Sequence, residues 1–524
     1  MQPTVYAGAR FHTLDDALGT VEALAVRGER IVAAGTTQAC RDAAGPGAVE
    51  VDLGGTTVVP GLVDSHLHTA QYARSLVSVD LHTATSLQQA LEAVRTHADR
   101  LPPEAWVTGG GWDCHRWPVP VQPNRHDLDT VVPDRPVALP TIDRHTLWVN
   151  SVALQRAGID RRTPDPAGGE IVRDADGEPT GILREAAGSL IVEPDDQTAL
   201  PGLLRSAMDR LLSHGLTGVH DIDGADAWSA FQTLRAADDL PIRVHKLIPR
   251  VDLDAHIDAG HATGDGDAWL RIGPVKLFTD GALGSHSCLM TQGFADEPDN
   301  HGIAVTPYPE LRELVLRAGS AGIAVAAHAI GDAANHLLID AFAEPITARP
   351  GSPLRYRIEH TQYLQPADVQ RIARLGIVAS MQPTHCTSDI ALTDSMLAGQ
   401  DLACYAWRSL LDAGAVVTFG SDSPVEDPNP WLGIHAAVTR QRADASPAGG
   451  WQPHERITLD QALRGYTVAP AYASYSEHLA GRLRPGMLAD FAVLAVDPFA
   501  IETSALHSVR VSATVVGGRV RWSG

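Results

Sequence analysis

Two histidines one residue apart, His66 and His68, are the first positions in this chain whose types and spacing could do chemistry. In an extended segment residues i and i+2 point the same way, so two imidazoles spaced like this can share one metal ion. With 23 histidines in 524 positions, about one such pair arises by chance, so the spacing alone carries little. The setting carries more, because the pair sits where the apolar strand Val58-Val-Pro-Gly-Leu-Val-Asp-Ser65 ends. Other apolar runs end comparably: His328 closes Val-Ala-Ala-His, His360 closes Arg-Ile-Glu-His, Asp422 follows a run in Gly-Ser-Asp, and Lys276 lies within Pro-Val-Lys-Leu-Phe. A lone strand-end histidine is more often a hydrogen-bonded structural residue, and a lone aspartate after a strand is more often a helix cap. Five strands that all carry nitrogen or carboxylate donors read together as a metal site.

Lysine is rare here: Lys246 and Lys276 stand against 39 arginines. An ammonium beside a cationic metal is repelled, so an unmodified Lys276 makes no sense as a ligand. Carboxylated on its amine by CO2, it becomes an anionic oxygen donor able to bridge two ions, a role that guanidinium cannot take. The alternative is a structural salt bridge, which arginine would serve as well. Lys246, at the end of a strand, receives the same argument more weakly because no chemistry is visible around it.

The elements that must position these residues are legible as alternating patterns. Apolar runs at Thr57–Val63, Thr217–His220, Ile242–Ile248, Pro274–Phe278, Ile323–Ala327, Arg355–Ile358, Ile377–Met381 and Val416–Phe419 are interleaved with helix-like stretches such as Leu203–Leu212, Pro309–Ala318, Ala333–Ala343 and Pro366–Leu375. Eight strands alternating with helices predict an α/β fold, a parallel (β/α)8 barrel of the TIM type, whose catalytic groups gather at the C-terminal edge of the strands. Strands one and two lie about 150 residues apart, far beyond an ordinary crossover, which implies an insertion over roughly 70–200. Both ends of the chain alternate at period two and break at Gly, so 1–58 and 478–524 are expected to form one composite β-sandwich flanking a barrel over 59–477.

Composition excludes several function classes. A net charge of −22 without a basic cluster offers no footprint for nucleic acid. There is no Gly-Lys-Ser/Thr phosphate loop, no G-x-G-x-x-G and no G-x-S-x-G. No apolar run approaches a membrane span, and the first residues lack the pattern of a secretory signal, so a soluble cytoplasmic protein without a membrane partner is expected. The five cysteines are widely separated with no C-x-x-C, as expected of buried reduced thiols.

Together, Val58-Val-Pro-Gly-Leu-Val-Asp-Ser-His-Leu-His68, Val275-Lys-Leu-Phe-Thr-Asp-Gly-Ala-Leu-Gly-Ser285, Ala327-His-Ala-Ile-Gly-Asp-Ala-Ala-Asn335, Arg357-Ile-Glu-His360 and Gly420-Ser-Asp-Ser-Pro424 resemble the amidohydrolase superfamily. Gly109-Gly-Gly-Trp-Asp113, Pro133-Asp-Arg-Pro through His145 to Asn150, and Asp176-Gly-Glu-Pro-Thr-Gly-Ile-Leu-Arg-Glu185 look closest to its N-substituted formamide deformylase-like (YtcJ-type) branch. The resemblance implies a divalent metal, usually zinc, at the barrel mouth. His66 and His68 would bind one ion, His328 and His360 a second, and Lys276 would bridge them. Asp422 would ligate the first ion and accept the proton of the attacking water. Some relatives carry glutamate or no bridge at the position of Lys276, so a single ion held by His66, His68, one further histidine and Asp422 is the alternative.

His145 and Trp112, both on the insertion, are candidates for orienting substrate, His145 by donating to a developing oxyanion; core packing is the competing reading for each. Glu185 and Asp332 are weaker candidates, as caps or supporting partners. The expected activity is metal-dependent hydrolysis of a C–N bond in an amide-like small molecule, N-substituted formamides included. A mononuclear deaminase of a cyclic amidine and a non-catalytic barrel scaffold are the rivals. Glu359 is set aside as the acid such a deaminase needs, because a residue adjacent to His360 in a strand points to the opposite face. A homo-oligomer is compatible with all of these.

Overall fold

A computed structural model describes residues 2–114, 117–118, 121–141, 146–166, 169–191 and 199–524. The chain divides into two compact units, Met1–Gln71 with Leu200–Gly524, and Tyr72–Ala199.

The first unit is built on eight parallel strands, numbered here β1 (Leu62–Leu67), β2 (Leu216–Asp221), β3 (Arg243–Pro249), β4 (Leu270–Phe278), β5 (Val325–Ala329), β6 (Arg357–His360), β7 (Val378–Met381) and β8 (Val416–Phe419). They pair in sequence order from β1 to β8. The ring is drawn shut by main-chain bonds: Asp422 N donates to the His66 carbonyl at 2.7 Å and His68 N to the Ser423 carbonyl at 3.0 Å. These strands are buried almost throughout, polar residues included, because a barrel strand is covered on both faces, by side chains inside and by helices outside. Helices Leu200–Ser213, Tyr308–Ser320, Asp332–Ala348 and Pro366–Leu375 occupy the positions their periodicity predicts.

The first predicted strand, Thr57–Val63, is corrected. Thr57–Pro60 belongs to a different sheet, where it pairs antiparallel with Phe491–Leu494, and the barrel strand begins only at Leu62. Gly61 is the joint between them. A side chain there would lie 2.2 Å from the Thr217 hydroxyl, so only glycine lets the chain pass from one sheet into the other against β2. That sheet runs Arg519–Ser523, Val511–Val516, Phe491–Leu494, Thr57–Pro60, Arg10–His12, Thr20–Val21, so strands from both ends of the chain share it. A second sheet, Arg30–Gly35, Ala23–Arg27, Thr4–Ala7, Val49–Asp52, contributes Tyr6, Leu24, Val26 and Ile31 to a core with Phe11, Val58, Phe491 and Val515. The barrel is fastened to this region by the bidentate pair of Arg243, at the start of β3, with Asp490 at 2.6 and 2.9 Å.

The second unit has its own six-stranded sheet, from Val79–Asp80 through Val107–Gly110, Val137–Pro140, Thr146–Val149 and Pro179–Glu185 to Gly169–Arg173. Its core holds Trp112 and Trp148, whose rings meet edge-on at 5.7 Å. Each buried indole N–H has a carbonyl acceptor, Leu139 for Trp112 at 2.7 Å and Asn124 for Trp148 at 2.8 Å. Among the described residues no helix is long and apolar enough to cross a membrane.

Candidate metal centre and active site

The predicted strand-end residues meet at the C-terminal edge of the barrel. His66 lies within β1 and is buried; His68 is one residue past the strand, with 22% of its side chain exposed. Asp422, two residues beyond Gly420, takes a left-handed backbone at φ 59°, which turns its carboxylate back over the strand ends. Its Oδ1 lies 3.3 Å from His66 Nε2 and 3.5 Å from His68 Nε2. Asp64 sets this geometry from below, accepting from His66 N at 3.0 Å, Ser421 N at 3.1 Å and the Ser421 hydroxyl at 2.6 Å, so β1 and the turn after β8 are bound to one carboxylate. Burial pushes that carboxyl up to about 6 in spite of these bonds.

Each of three histidines has its Nδ1 engaged. His66 Nδ1 meets Glu359 Oε2 at 2.5 Å, His68 Nδ1 meets Asp223 Oδ1 at 3.0 Å, and His360 Nδ1 meets Gln382 Oε1 at 3.0 Å. A partner on Nδ1 fixes ring orientation and frees Nε2, which is how metal-binding imidazoles are commonly held. Two donor sets follow, each with ligand atoms within 4.8 Å of one another: His66, His68 and Asp422, and His360, His385 and Asp422. His385 Nε2 is buried without a hydrogen-bond partner among the described residues, and lies 3.9 Å from Asp422 Oδ2. Burial would raise the Asp422 carboxyl, but the imidazoles of His66, His385 and His68 hold it below its ordinary value.

His328, at β5, touches the cluster through its ring, 4.5 Å from that of His360, while its Nε2 faces the Gly281 carbonyl at 3.0 Å. Burial and the nearby Lys276 push it down to about 3, leaving a neutral ring. Lys276, on β4, is 3% exposed and its Nζ has no hydrogen-bond partner among the described residues. It sits 4.9 Å from the centre of the Phe278 ring. Burial drives it down to about 8 against the pull of the Glu359 and Asp422 carboxylates. A buried amine with no hydrogen-bond partner among the described residues, beside imidazoles and carboxylates, is an orphan that a metal centre would explain, and the nitrogen and oxygen donors suit zinc or a similar divalent ion.

Glu359 corrects the reading from strand alternation. It is fully buried and bonded both to His66 and, through Oε1 at 2.5 Å, to Arg357 Nε. Arg357 and Glu359 share the inward face of β6 as i and i+2. His360 would then point outward, but its φ of 74° breaks the pleat and brings its ring to 4.8 Å from His66. Both neighbours therefore reach the site. Burial alone would raise the Glu359 carboxyl; Arg357 and His66 hold it well below its usual range.

His385, Asp223 and Gln382 were missed by sequence reasoning. Gln382 and His385 follow β7, whose apolar run ends in Met381 with no donor at the strand end itself, and His385 is carried on the short helix Pro383–Ser388. Asp223 stands two residues past β2. Trp112 is buried in the core of the second unit with its indole N–H bonded to the Leu139 carbonyl. His145 lies outside the described residues. Glu185 ends the strand Pro179–Glu185 with φ 49°. Asp332, in the first turn of its helix, accepts from Thr291 N at 2.8 Å.

Residues 49–521 match the family model described as Amidohydrolase family (Amidohydro_3). This chain belongs to the amidohydrolase family. It is 34% identical over 98% of its length to the Bacillus subtilis (strain 168) protein YtcJ, of which 98% is covered. It is 32% identical over its whole length to the N-substituted formamide deformylase of Arthrobacter pascens, of which 98% is covered. An uncharacterized metal-dependent hydrolase from Pyrococcus furiosus superposes with a TM-score of 0.80 at 29% identity, covering 95% of this chain and 99% of that one. As an amidohydrolase the protein is a hydrolase of carbon–nitrogen bonds, and its barrel mouth is the place for a divalent metal.

Proposed function

We propose that this amidohydrolase cleaves the C–N bond of an amide-like small molecule, N-substituted formamides among them, with zinc as the metal. The observation that carries the reading is the convergence of imidazole Nε2 atoms on one carboxylate, Asp422, with the opposite ring nitrogens of His66, His68 and His360 each engaged by a fixed partner. The 32% identity to a relative named for deformylating N-substituted formamides supports the substrate class.

In this reading His66, His68 and Asp422 would hold one ion, His360, His385 and Asp422 would supply the donors for a second, and His328 and a Lys276 carboxylated on Nζ would complete the centre. A bound divalent ion supplies Lewis acidity, lowering the pKa of water to near 7 and polarising a carbonyl. Asp422 accepts the proton of the attacking water and passes it to the departing nitrogen, so that amide and water become acid and amine with no proton left over. Glu359 and Asp223 keep the imidazoles of His66 and His68 from rotating. Gln382 does the same for His360. His145 is the candidate donor to the oxyanion.

The test begins with protein purified without chelator, which should carry one to two equivalents of zinc. A screen over N-formyl, N-acyl and cyclic amides, with amine and ammonia release followed separately, then distinguishes amide hydrolysis from deamination. Asp422→Asn should lower turnover by at least about 10²-fold with the fold intact. Protein that holds no metal and gains no activity from added metal would overturn the reading.

A further inference from the structure

Lys246, the second lysine, lies on β3 at 2% exposure. Its Nζ donates to the main-chain carbonyls of Asp223 and of Leu247, the latter at 2.8 Å, and faces Asp221 Oδ1 at 3.1 Å. Three acceptors thus meet the three N–H bonds of one ammonium. Asp221, the last residue of β2, accepts from Thr69 N at 3.1 Å and from Asp223 N at 3.1 Å. Asp223 in turn accepts from Ala70 N at 2.6 Å and meets His68 Nδ1 at 3.0 Å. The segment that follows His68 and the turn that follows β2 are therefore stitched together around a single buried cation.

From this geometry we infer that Lys246 is a positioning residue for His68: it binds the Asp221–Asp223 turn at both a carboxylate and a carbonyl, and so holds the Asp223 carboxylate against His68 Nδ1 with His68 Nε2 directed at Asp422. The inference rests on the proposed reading of His68 as a metal ligand. Arginine does not replace lysine here, because acceptors converging on one nitrogen suit a compact ammonium and not a planar fork. In a chain with 39 arginines, Lys246 therefore stands where three converging acceptors fit a primary amine.

The experiment measures zinc affinity by competition with a chromogenic chelator on the full chain, for the wild type, Lys246→Met, Lys246→Arg, Asp223→Asn and the double variant Lys246→Met/Asp223→Asn. Outer partners of a metal-bound histidine typically change affinity by about 10–100-fold. Each single variant should weaken zinc binding by that factor, and the double variant by no more than its worse parent, because the two residues act through one contact. Asp490→Asn, which breaks the Arg243 pair at the start of the same strand, is the control: it should lower the urea midpoint and leave zinc affinity unchanged. If Lys246→Met does not fold, Lys246→Gln is measured in its place. Zinc affinity within twofold of wild type in the Lys246 variants, multiplicative losses in the double variant, or an equal loss in Asp490→Asn would overturn the inference. A wild-type protein that binds no zinc would overturn the metal reading itself, and this inference with it, which separates the two failures.

Discussion

Replacing Lys276 with methionine should stabilise the metal-free protein while removing its activity. Lys276 is 3% exposed and its Nζ lacks a partner among the described residues, so in the apo protein the ammonium is held at the expense of stability. Its displacement from 10.5 to about 8 corresponds, at 1.36 kcal/mol per unit, to about 3 kcal/mol. The sign follows from linkage. Below pH 8 the native and unfolded chains both carry the proton and the cost is complete; between 8 and 10.5 the unfolded chain holds a proton the native state lacks, so stability rises with pH; above 10.5 the cost is gone.

Methionine has a comparable unbranched stem and no charge, so Lys276→Met should gain about 3 kcal/mol at pH 7, shrinking to about 1 kcal/mol by pH 10. Urea unfolding of chelator-treated protein in CO2-free buffer, compared between variant and wild type across this range, reads the difference directly, and titrations common to both proteins cancel. A variant less stable than wild type at pH 7, or a gain that does not shrink with rising pH, would refute the reasoning.

Two further outcomes are expected. Glu359→Gln keeps the side-chain volume but leaves the buried Arg357 guanidinium without its carboxylate; breaking such a pair typically costs about 3–5 kcal/mol, and loosening His66 should weaken zinc binding by about 10–100-fold, both read from urea and chelator titrations, with no change in either counting against the assigned contacts. Burial pushes the thiols of Cys404 and Cys386 up to about 11 and about 12, and raises those of Cys40, Cys114 and Cys288 as well; thiol reagents should therefore label all five only on unfolding, and rapid labelling of the native protein at pH 8 would contradict this packing.

Much of the barrel was legible because short apolar runs alternate with helix-like stretches and the chemistry of this fold collects where those runs end. His66, His68, His328, His360 and Asp422 all stand at or just past such ends, and three of them, His66, His68 and Asp422, form one candidate donor set. The residue types were informative too: the scarcity of lysine in an arginine-rich chain drew attention to Lys276, which the structure buries beside the candidate site.

What the sequence by itself determined is the periodic part of the protein, since alternation and spacing are local properties of the chain. The tertiary structure alone decided the rest, at points where the backbone departs from its period or where partners are distant in sequence. Gly61 divides one apolar run between two sheets because the packing of Thr217 leaves no room for a side chain. His360 takes a positive φ, so that Glu359 and His360 serve the same site despite being neighbours in a strand. Lys246 acquires its role only when the end of β2 and the segment after His68 close around it, contacts that span 23 residues in one case and more than 150 in the other. Pairings of that range depend on the closed barrel, and no local pattern encodes them.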